Sequence, residues 1–600
     1  MKTYIRLIAF LLIIGLTYSC DDYLKTESNS TFTEETAFSN LDFAKKAVFS
    51  IYNSLTTSYM WDNYLVYYRC DTDIEQSNSA NNSSYVGIAH YAADEGNTTL
   101  QGVWNTFYST IEKANICIDN LPNSPVWEGE YAEDALQLYG EAVTLRAYLY
   151  WELINIWGDV PFITKSTQAG DDFYVQKTDR DSIYEYLIQD LKDVEDYVPW
   201  MRETQTAERV NKGFVKGLRS RMALSYAGYS LRNKTFETRR GRYWQEYYKI
   251  ANQECKEIME SGKHRLNPSF ENIFKTLHQY NQDLTYNESM FEVAFLRLYS
   301  GRFANQVGMY HSYSPADPKY GRAVNQLYSN PVLYYNFDKK DIRRDVSFQL
   351  YNYASTSHLG QQWIIGYTAW SFCKWRKSWI VPLMGGDLKD AYYTGVNFPL
   401  MRYSDIILMF AETENEINGP TAAAKEALTR VRQRAFSEDQ WAEKVTHYVD
   451  SVSVSKESFF NAIVDERAFE FVGEFYRKYD LVRWNLLGEK INKLKEEYAK
   501  ILNNDPKYKN VPNYIFWRHP DGGEVIEILN PDYRLPSTSI AGYSKTSWYA
   551  ALNESSKATY LSVMGRVANG YDPAKNNHLM PLAATTISAS RGILSNDQIP

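Results

Sequence analysis

Residues 146–163 read RAYLYWELINIWGDVPFI, and this stretch decides the fold class. Followed from Leu138, apolar residues recur every three or four positions on one helical face, at Ala142, Leu145, Leu149, Leu153 and Ile156. The opposite face carries rings, at Tyr148, Trp151 and Trp157. The pattern predicts a helix that is buried nearly all round, with these rings in the core. Gly158 supplies a C′ residue and Pro161 prevents continuation, so the helix should end at about residue 157.

Further helices follow in neighbouring pairs. The helix at 138–157 has a predicted partner at 182–197, and similar spacing predicts pairs at 39–55 with 103–121, 212–230 with 243–261, and 402–417 with 422–435. One pair cannot bury its apolar face alone, so neighbouring pairs stack, as they do in tetratricopeptide repeats. We therefore predict a mainly α protein built on a tetratricopeptide-like scaffold of helical pairs.

Two segments interrupt the helical pattern. Residues 59–99 are rich in Asn, Ser and Tyr with weak periodicity, which predicts a long ordered loop. Residues 271–400 form a predicted loop-rich, aromatic-rich insertion, with short strands at 291–295 and 371–375. The predicted division is an N-terminal helical region at 20–270 and a C-terminal region at 271–600, with helical blocks at about 401–490.

The first twenty residues have the pattern of an export signal. Lys2 and Arg6 precede an apolar run at 7–16 that is too short to span a bilayer, and a small residue, Ser19, precedes Cys20. This predicts a signal peptide at 1–19 and a lipid attached to Cys20, which would hold the protein to a membrane. The alternative is an ordinary secretory signal in which the cysteine is incidental.

The composition limits the kinds of partner that the chain can bind. The 600-residue chain has a net charge of −9 and no Lys/Arg run, which argues against nucleic acid, because nucleic-acid binding depends on phosphate neutralisation. Beyond Cys20, four cysteines stand far apart without a CxxC motif, so neither a zinc site nor a disulfide scaffold is indicated. Those four are Cys70, Cys117, Cys255 and Cys373. Their pairing is left open.

Catalytic motifs are missing from the sequence. It has no HExxH, GxSxG or GxxxxGK[ST] motif, and its eight histidines are scattered singly. We predict no catalytic residues, no metal and no cofactor. The acids Glu466, Glu470 and Glu474 share a predicted helix with Arg467 and Arg477, at spacings that favour intrahelical ion pairs over a hydrolytic carboxylate pair.

The 50 Tyr and 15 Trp residues point to binding, because a flat ring can receive the apolar face of a sugar. In the first loop, Tyr85 and Tyr91 lie among Asn residues, and Asp71 stands beside Arg69. The candidate ligand contacts are Arg69, Asp71, Tyr85, Tyr91, Tyr310, Tyr313, Trp363 and Trp370. The competing interpretation is that such rings pack their own loops and such acids serve turns, while Trp375, in a predicted strand, belongs to the core.

Several blocks together resemble a known family. They are Cys20-Asp21-Asp22-Tyr23-Leu24, RAYLYWELINIWGDVPFI, MRYSDIILMFAETENEING at 401–419, ERAFEFVGEFYRKYDLVRW at 466–484 and LMPLAATTISASRGIL at 579–594. In this order they resemble the SusD/RagB family of nutrient-binding outer membrane lipoproteins. The resemblance spans nearly the whole chain.

The resemblance implies a function. It implies a non-catalytic, lipid-anchored outer membrane protein that faces the cell exterior, binds glycan through inserted loops and passes it to a SusC-type TonB-dependent transporter. In the family, acidic residues after the lipidated cysteine favour surface export, and Asp21-Asp22 fits that pattern. Three alternatives stay open: an oligopeptide-binding member of the same family, a purely structural partner of the transporter, and a lipid-anchored glycoside hydrolase.

Overall fold

The computed structural model describes residues 34–77, 79–80, 84–312, 319–353, 360–368, 370–384 and 392–597. Cys20, Tyr313 and Asn78 lie outside these ranges. The helices of the first half are α1 Glu34–Ala37, α2 Leu41–Leu55, α3 Leu65–Tyr68, α4 Ser84–Ala89, α5 Thr98–Asn120, α6 Ala132–Trp157, α7 Arg180–Val194, α8 Met201–Thr204, α9 Lys212–Ala227, α10 Trp244–Glu260 and α11 Phe270–His278. The protein is mainly α-helical, as predicted.

The second half continues with shorter helices. They are α12 Phe303–Val307, α13 Pro331–Asn336, α14 Ile342–Ser347, α15 Tyr403–Asn418, α16 Ala422–Ala435, α17 Tyr448–Val452, α18 Lys456–Phe471, α19 Arg477–Arg483, α20 Leu487–Leu502, α21 Glu554–Arg566 and α22 Ala584–Ala589. A π-helical stretch at Trp441–His447 precedes α17.

Strands are short and form small antiparallel ladders. They are β1 Val160–Pro161, β2 Lys177–Thr178, β3 Tyr229–Leu231, β4 Thr238–Arg240, β5 Ser289–Val293, β6 Tyr351–Asn352, β7 Trp363–Ile364, β8 Phe398–Arg402, β9 Tyr514–Arg518, β10 Glu527–Ile528 and β11 Ser544–Ser547. Strands β1–β2, β3–β4, β5–β8 and β6–β7 pair two by two, and β9 lies between β10 and β11.

Helix α6 confirms the prediction made from RAYLYWELINIW. It is buried on both faces, and Tyr148, Trp151 and Trp157 are core side chains. The helix ends at Gly158, whose φ of +77° favours glycine. A Cβ there would lie 2.0 Å from Asn233 Oδ1, so the close approach of the β3–β4 hairpin also requires glycine.

The four predicted helical pairs are all present, and they stack in chain order. Helix α2 packs on α5, α6 on α7, α9 on α10 and α15 on α16. Helices of successive pairs also touch, since α5 contacts α6, α7 contacts α9 and α10 contacts α15. Because α10 and α15 are direct neighbours, the region between them leaves the helical array and returns to it, which positions the insertion on the scaffold.

The insertion is held at its base by the ladder of β5 with β8. The predicted strand at 291–295 is confirmed with a shift, since β5 spans Ser289–Val293. The predicted strand at 371–375 is wrong. This segment is a turn, buried on every side, and its backbone does not pair with a strand: Cys373 N donates to the O of Ser347, the last residue of α14, at 2.8 Å. Trp375 is in the core, as predicted, and its Nε1 donates to Gly473 O at 2.8 Å.

The acids of the 466–484 block are structural, but the predicted intrahelical pairing is wrong. Helix α18 ends at Phe471, so Glu474 lies beyond it. Glu470 is buried among three arginines, Arg343, Arg402 and Arg434, which come from separate segments. Burial alone would raise the pKa of Glu470, but these three cations hold it well below its usual range.

The remaining acids of this block also pair between elements. Glu474 accepts from Lys374 Nζ at 2.7 Å and from Arg402 Nε at 2.7 Å. Glu466 pairs with Arg343 at 2.7 Å and with Arg432 at 2.6 Å. The acids of the 466–474 run therefore join the insertion, α16 and α18 across the core.

Candidate functional site

The first loop and the insertion meet along a seam. Gln76 and Tyr328 exchange backbone hydrogen bonds, with Gln76 N to Tyr328 O at 2.7 Å and the reverse at 2.8 Å. Ser329 Oγ donates to Ile74 O at 2.7 Å, and Asn330 Nδ2 donates to Asp73 O at 2.9 Å. Residues separated by about 250 positions thus form one continuous surface.

Three tyrosines of the first loop lie beside this seam, and we call them the tyrosine ledge: Tyr59, Tyr64 and Tyr85. Tyr59 is 39% exposed, and the other two are half-buried. The ring centroids of Tyr59 and Tyr64 are 5.5 Å apart, and those of Tyr64 and Tyr85 are 5.7 Å apart in a stacked arrangement. Gly102 of α5 lies under Tyr59, where a Cβ would come within 2.2 Å of the ring.

Beneath the ledge, Tyr67 joins the first loop to the insertion. Its ring lies 4.6 Å from Tyr85, and its hydroxyl donates to Gln306 Oε1 at 3.2 Å and also to Gln326. Burial raises the pKa of Tyr67 well above its ordinary value, so the phenol stays neutral. Gln326 is exposed, and its amide lies at the edge of the rings, where it can hydrogen-bond a hydroxyl group.

A second set of rings lies in the insertion, and we call it the insertion ring group: Tyr310, His311, Tyr320, Tyr353 and Trp363. His311 is buried and stacks on Tyr353, with centroids 4.5 Å apart, and Tyr320 lies 5.4 Å from His311. Burial, together with the charge of Lys377, lowers the pKa of His311 to about 3. The imidazole is therefore neutral and serves as packing.

The outer members of the insertion ring group are more accessible. Tyr310, Tyr320, Tyr353 and Trp363 are half-buried. Tyr353 N donates to Tyr310 O at 3.1 Å, which places these two residues side by side. Trp363 stands 4.8 Å from Trp517 and 5.9 Å from His519, so the group extends to the sheet of β9.

One extended segment, 320–328, connects the two sets. His311 and Ala323 exchange backbone hydrogen bonds at one end, and Gln326 N donates to Gln306 O at 2.6 Å at the other. Six residues separate Tyr320 from Gln326, so these positions are at most about 20 Å apart. The ledge, this segment and the ring group together form what we call the binding strip.

Three candidate residues from the sequence are accessible or partly so: Tyr85 in the ledge, and Tyr310 and Trp363 in the ring group. Tyr313 lies outside the described residues. Tyr59, Tyr64 and Gln326 were missed as candidates. The close spacing of tyrosines at the start of the first loop could have indicated Tyr59 and Tyr64 as candidates. Their exposure, which only the structure shows, is what makes them available to a ligand.

Arg69 is fully buried, which corrects its prediction as a ligand contact. Its guanidinium pairs with Glu152 of α6 and donates to Phe475 O at 3.2 Å. It also lies 4.6 Å from the ring of Trp61 and 4.4 Å from the ring of Tyr479. With both faces covered, Arg69 fastens the loop to the scaffold.

Asp71 and Tyr91 are also buried, which corrects their prediction as ligand contacts. Asp71 is fully buried and accepts hydrogen bonds from Ser77 N at 2.8 Å, Ala568 N at 2.6 Å and His90 Nδ1 at 2.6 Å. Burial alone would lower the pKa of His90, but the bond to Asp71 raises it. Tyr91 donates to Asp71 O at 3.1 Å and is also buried.

Trp370 is a core residue, which corrects the last candidate. It is buried, and its Nε1 donates to Tyr549 OH at 2.8 Å and Tyr367 O at 3.1 Å. No polar edge of this ring is left for a ligand.

Neither a metal-ion site nor a helix suited to cross a membrane occurs within the described ranges. No group of three or more His, Cys, Asp or Glu residues is arranged to hold a metal ion there. Cys70, Cys117, Cys255 and Cys373 are buried free thiols. No helix within the part of the chain that the structure describes combines the length and apolar character that a membrane crossing needs.

Comparison with known families gives two matches. The model described as "SusD family" matches residues 233–596, and the model described as "Starch-binding associating with outer membrane" matches residues 22–224. The SusD-like protein P25 of Formosa agariphila is 22% identical over 524 residues, which cover 82% of this chain and 92% of that protein.

Solved structures share the fold. A SusD homolog from Bacteroides thetaiotaomicron superposes with a TM-score of 0.69 at 23% identity, covering 78% of this chain and 90% of its own. The surface glycan-binding protein A from Bacteroides thetaiotaomicron, in complex with laminarihexaose, gives a TM-score of 0.60 at 17% identity, covering 93% of this chain and 99% of its own.

Proposed function

Because this chain belongs to the SusD family, we propose that it captures glycan, without catalysing a reaction, on the binding strip. The observation that carries the proposal is the stacked, solvent-accessible pair Tyr64 and Tyr85, bordered by the exposed amide of Gln326. Such rings receive the apolar faces of sugar units, and amides bond their hydroxyl groups. A fold neighbour that was solved with laminarihexaose supports a glycan as the ligand class.

The length of the strip favours an oligosaccharide over a single sugar. The two ring sets lie at opposite ends of segment 320–328, up to about 20 Å apart. We therefore propose an oligosaccharide, whose successive sugar units can contact both sets, as the ligand. The neutral rings and amides of the strip favour hydroxyl-rich ligands without requiring charge.

The charged groups near the strip support binding rather than catalysis. A hydrolase needs two carboxyl groups that face the substrate. Asp71 is buried and accepts three hydrogen bonds, and Glu470 is enclosed by arginines. These acids stabilise the fold and are not offered to a ligand.

The proposed setting is the outer surface of the outer membrane. We propose that lipid on Cys20 anchors the chain there and that a SusC-type TonB-dependent transporter receives the captured glycan. The residue pattern around Cys20 and the family description that mentions outer membrane association support this setting. Copurification of such a transporter with the tagged protein would test the partnership, and isolation of the protein without any transporter would contradict it.

The decisive experiment is a ligand screen with the lipid-free chain that starts after Cys20. We expect retention on at least one immobilised glycan, measured by affinity electrophoresis and calorimetry, with no release of reducing sugar. Retention of oligopeptides but of no glycan would replace the ligand class. Turnover of a bound glycan at an enzymatic rate would establish the hydrolase alternative and refute the proposal. Unchanged uptake after loss of the ledge rings would favour a purely structural role.

A further inference from the structure

A separate cavity of about 350 Å³ lies where three elements meet. They are the end of α6 at Trp157, the β3–β4 hairpin at Asn233 and Phe236, and the C-terminal segment 577–597. Residues of the first loop at 91–95 and Lys177 of β2 complete the lining. None of the residues of the tyrosine ledge or the insertion ring group lines this cavity. It is therefore independent of the proposed glycan site.

The cavity is held open by hydrogen bonds between its walls. Trp157 Nε1 donates to Pro581 O at 3.2 Å, and Met580 N donates to Ile156 O at 2.8 Å. Leu582 and Asn596 exchange two further bonds, with Leu582 N to Asn596 Oδ1 at 2.6 Å and Asn596 Nδ2 to Leu582 O at 3.0 Å. The C-terminal segment is thus a fixed wall.

Much of the wall is apolar. It includes the side chains of Leu231, Phe236, Leu579, Met580 and Leu582, together with the rings of Tyr91 and Trp157. Such a surface suits the methylene chain of a ligand.

The charge of the lining is negative. Four acids, Asp94, Glu95, Asp159 and Asp597, stand against one cation, Lys177. Lys177 is already engaged by Asp597 at 2.7 Å. The remaining carboxylates give the cavity a negative field that attracts cations.

Asp159 is the buried acid of this lining that forms no ion pair among the described residues. It is only 4% exposed, and its Oδ1 accepts a hydrogen bond from Arg180 N at 3.0 Å. Throughout the described part of the chain, no Lys, Arg or His nitrogen comes within ion-pair distance of it, and its Oδ2 has no hydrogen-bond donor. Burial raises the pKa of Asp159, and the hydrogen bond from Arg180 N together with the more distant charges of Arg180 and Lys234 offsets only part of this effect.

We propose that this cavity binds an aliphatic primary ammonium group of the kind that a lysine side chain carries. The ammonium would pair with Asp159 Oδ2, and its methylene chain would lie against Leu231, Leu579 and Met580. Burial of a carboxylate is costly unless it is paired, so a bound cation would offset the cost.

Other cations fit less well. A guanidinium pairs best with both oxygens of a carboxylate, and Oδ1 of Asp159 has only one acceptor position left because it already accepts from Arg180 N. A divalent metal needs several oxygen ligands, and no group of three or more potential metal ligands is arranged around an ion within the described ranges. An amino sugar would place hydroxyl groups against the apolar wall, where they would be left unpaired.

The test is calorimetry on the full chain in amine-free phosphate buffer. The probes are Nα-acetyl-lysine amide, its norleucine analogue without the ammonium, and glucosamine. We expect saturable binding of the lysine probe, with the norleucine analogue and glucosamine weaker by about tenfold or more. Equal binding of the norleucine analogue or glucosamine, or no saturable binding of the lysine probe, would overturn the proposal.

Two variants and one control sharpen the test. Asp159→Asn keeps an acceptor for Arg180 N but removes the charge, and Ala93→Trp fills the cavity from its rim. Both variants should lower the affinity for the lysine probe by about tenfold or more. The control Asp465→Asn, at an exposed acid elsewhere, should leave that affinity unchanged. An affinity for the lysine probe that Asp159→Asn leaves unchanged would refute the assignment. Unchanged glycan retention by Asp159→Asn and Ala93→Trp would show that both variants are folded. It would also separate a failure of the ammonium site from a failure of the proposed glycan-binding function.

Discussion

Asp73 and Arg477 are 404 positions apart in the chain and form a two-pronged ion pair. Arg477 Nε donates to Asp73 Oδ1 at 2.8 Å, and Nη2 donates to Oδ2 at 2.7 Å. A third donor, Arg477 Nη1, reaches Val464 O at 2.7 Å. The start of α19 therefore holds the first loop directly beside the seam with the insertion, since Asn330 Nδ2 donates to Asp73 O.

Replacement of Arg477 by Met should destabilise the protein by about 3 kcal/mol, because it leaves the mostly buried carboxylate of Asp73 without a cation. The change would be measured as a shift in the midpoint of urea unfolding. The matched control is Arg518→Met, because the pair of Arg518 with Glu527 is 45% and 39% exposed and should contribute little to the free energy of unfolding. Equal shifts in the two variants would contradict this account of the loop.

Acid should weaken the insertion ring group. The pKa of His311 is about 3 in the folded chain, below its unfolded value of about 6.5, so the folded state requires a neutral ring. The contribution to stability is fully present above about pH 6.5 and is lost as the pH falls toward 3. At pH 5 the loss is about 2 kcal/mol.

The variant His311→Phe isolates this effect. Phenylalanine can keep the stack on Tyr353, and neither imidazole nitrogen of His311 has a hydrogen-bond partner among the described residues. Urea unfolding at pH 7 and pH 5 should therefore show a smaller pH dependence for His311→Phe than for the parent chain. The variant His447→Phe, at an exposed position, is the control. A pH dependence unchanged by His311→Phe would show that other groups carry it.

The helical scaffold could be predicted from the sequence. Helix α6 could be placed to its last residue because Gly158 and Pro161 punctuate a periodic pattern, and the pairing of α15 with α16 followed from the turn at Gly419. Both features are local. The failed strand at 371–375 had the composition of a strand, but its backbone partners, such as Ser347 at the end of α14, come from separate segments that no local pattern reveals.

The candidate site was predictable only in part, because burial depends on distant segments. Arg69 and Tyr85 stand in the same loop with equally plausible chemistry. Glu152 and Phe475 enclose Arg69, whereas Tyr85 stays only half-buried among the described residues. Likewise, Asp71 is buried and accepts a hydrogen bond from the backbone N of Ala568, nearly 500 positions away. Residue type suggested the chemistry, and the tertiary partners decided which residues remain available for it.

Replacement of Cys20 by Ser should release the protein from the membrane fraction. The lipid is attached to the thiol, and contacts between protein surfaces would not hold the chain at the membrane in its place. Metabolic labelling with radioactive palmitate should mark the parent chain and not the variant. Ser19→Ala, which keeps a small residue before the cysteine, is the control and should remain labelled. Labelled Cys20→Ser would contradict the assignment of the anchor. Protease treatment of intact cells should then digest the parent chain, and resistance until the outer membrane is broken would place it on the periplasmic side.

Loss of one ledge ring should weaken glycan binding measurably. Tyr85→Ala removes a ring that stacks on Tyr64, and we expect about a tenfold loss of affinity, since the contact area of one ring contributes about 1–2 kcal/mol. Tyr85→Phe keeps the ring and should retain affinity within about threefold, because only one exchangeable hydrogen bond is lost. Calorimetry with the glycan retained in the screen would measure both.

The control for the ledge is Tyr131→Ala, a 44% exposed tyrosine of the scaffold, which should leave affinity unchanged. If Tyr85→Ala and Tyr131→Ala bind alike, the ledge is not the glycan site, whatever the remaining rings do. If Tyr85→Ala binds weakly and Tyr85→Phe binds normally, the contact is made by the ring face. That outcome would distinguish stacking from hydroxyl recognition at this position, because the two variants share the loss of the hydroxyl and differ in the ring.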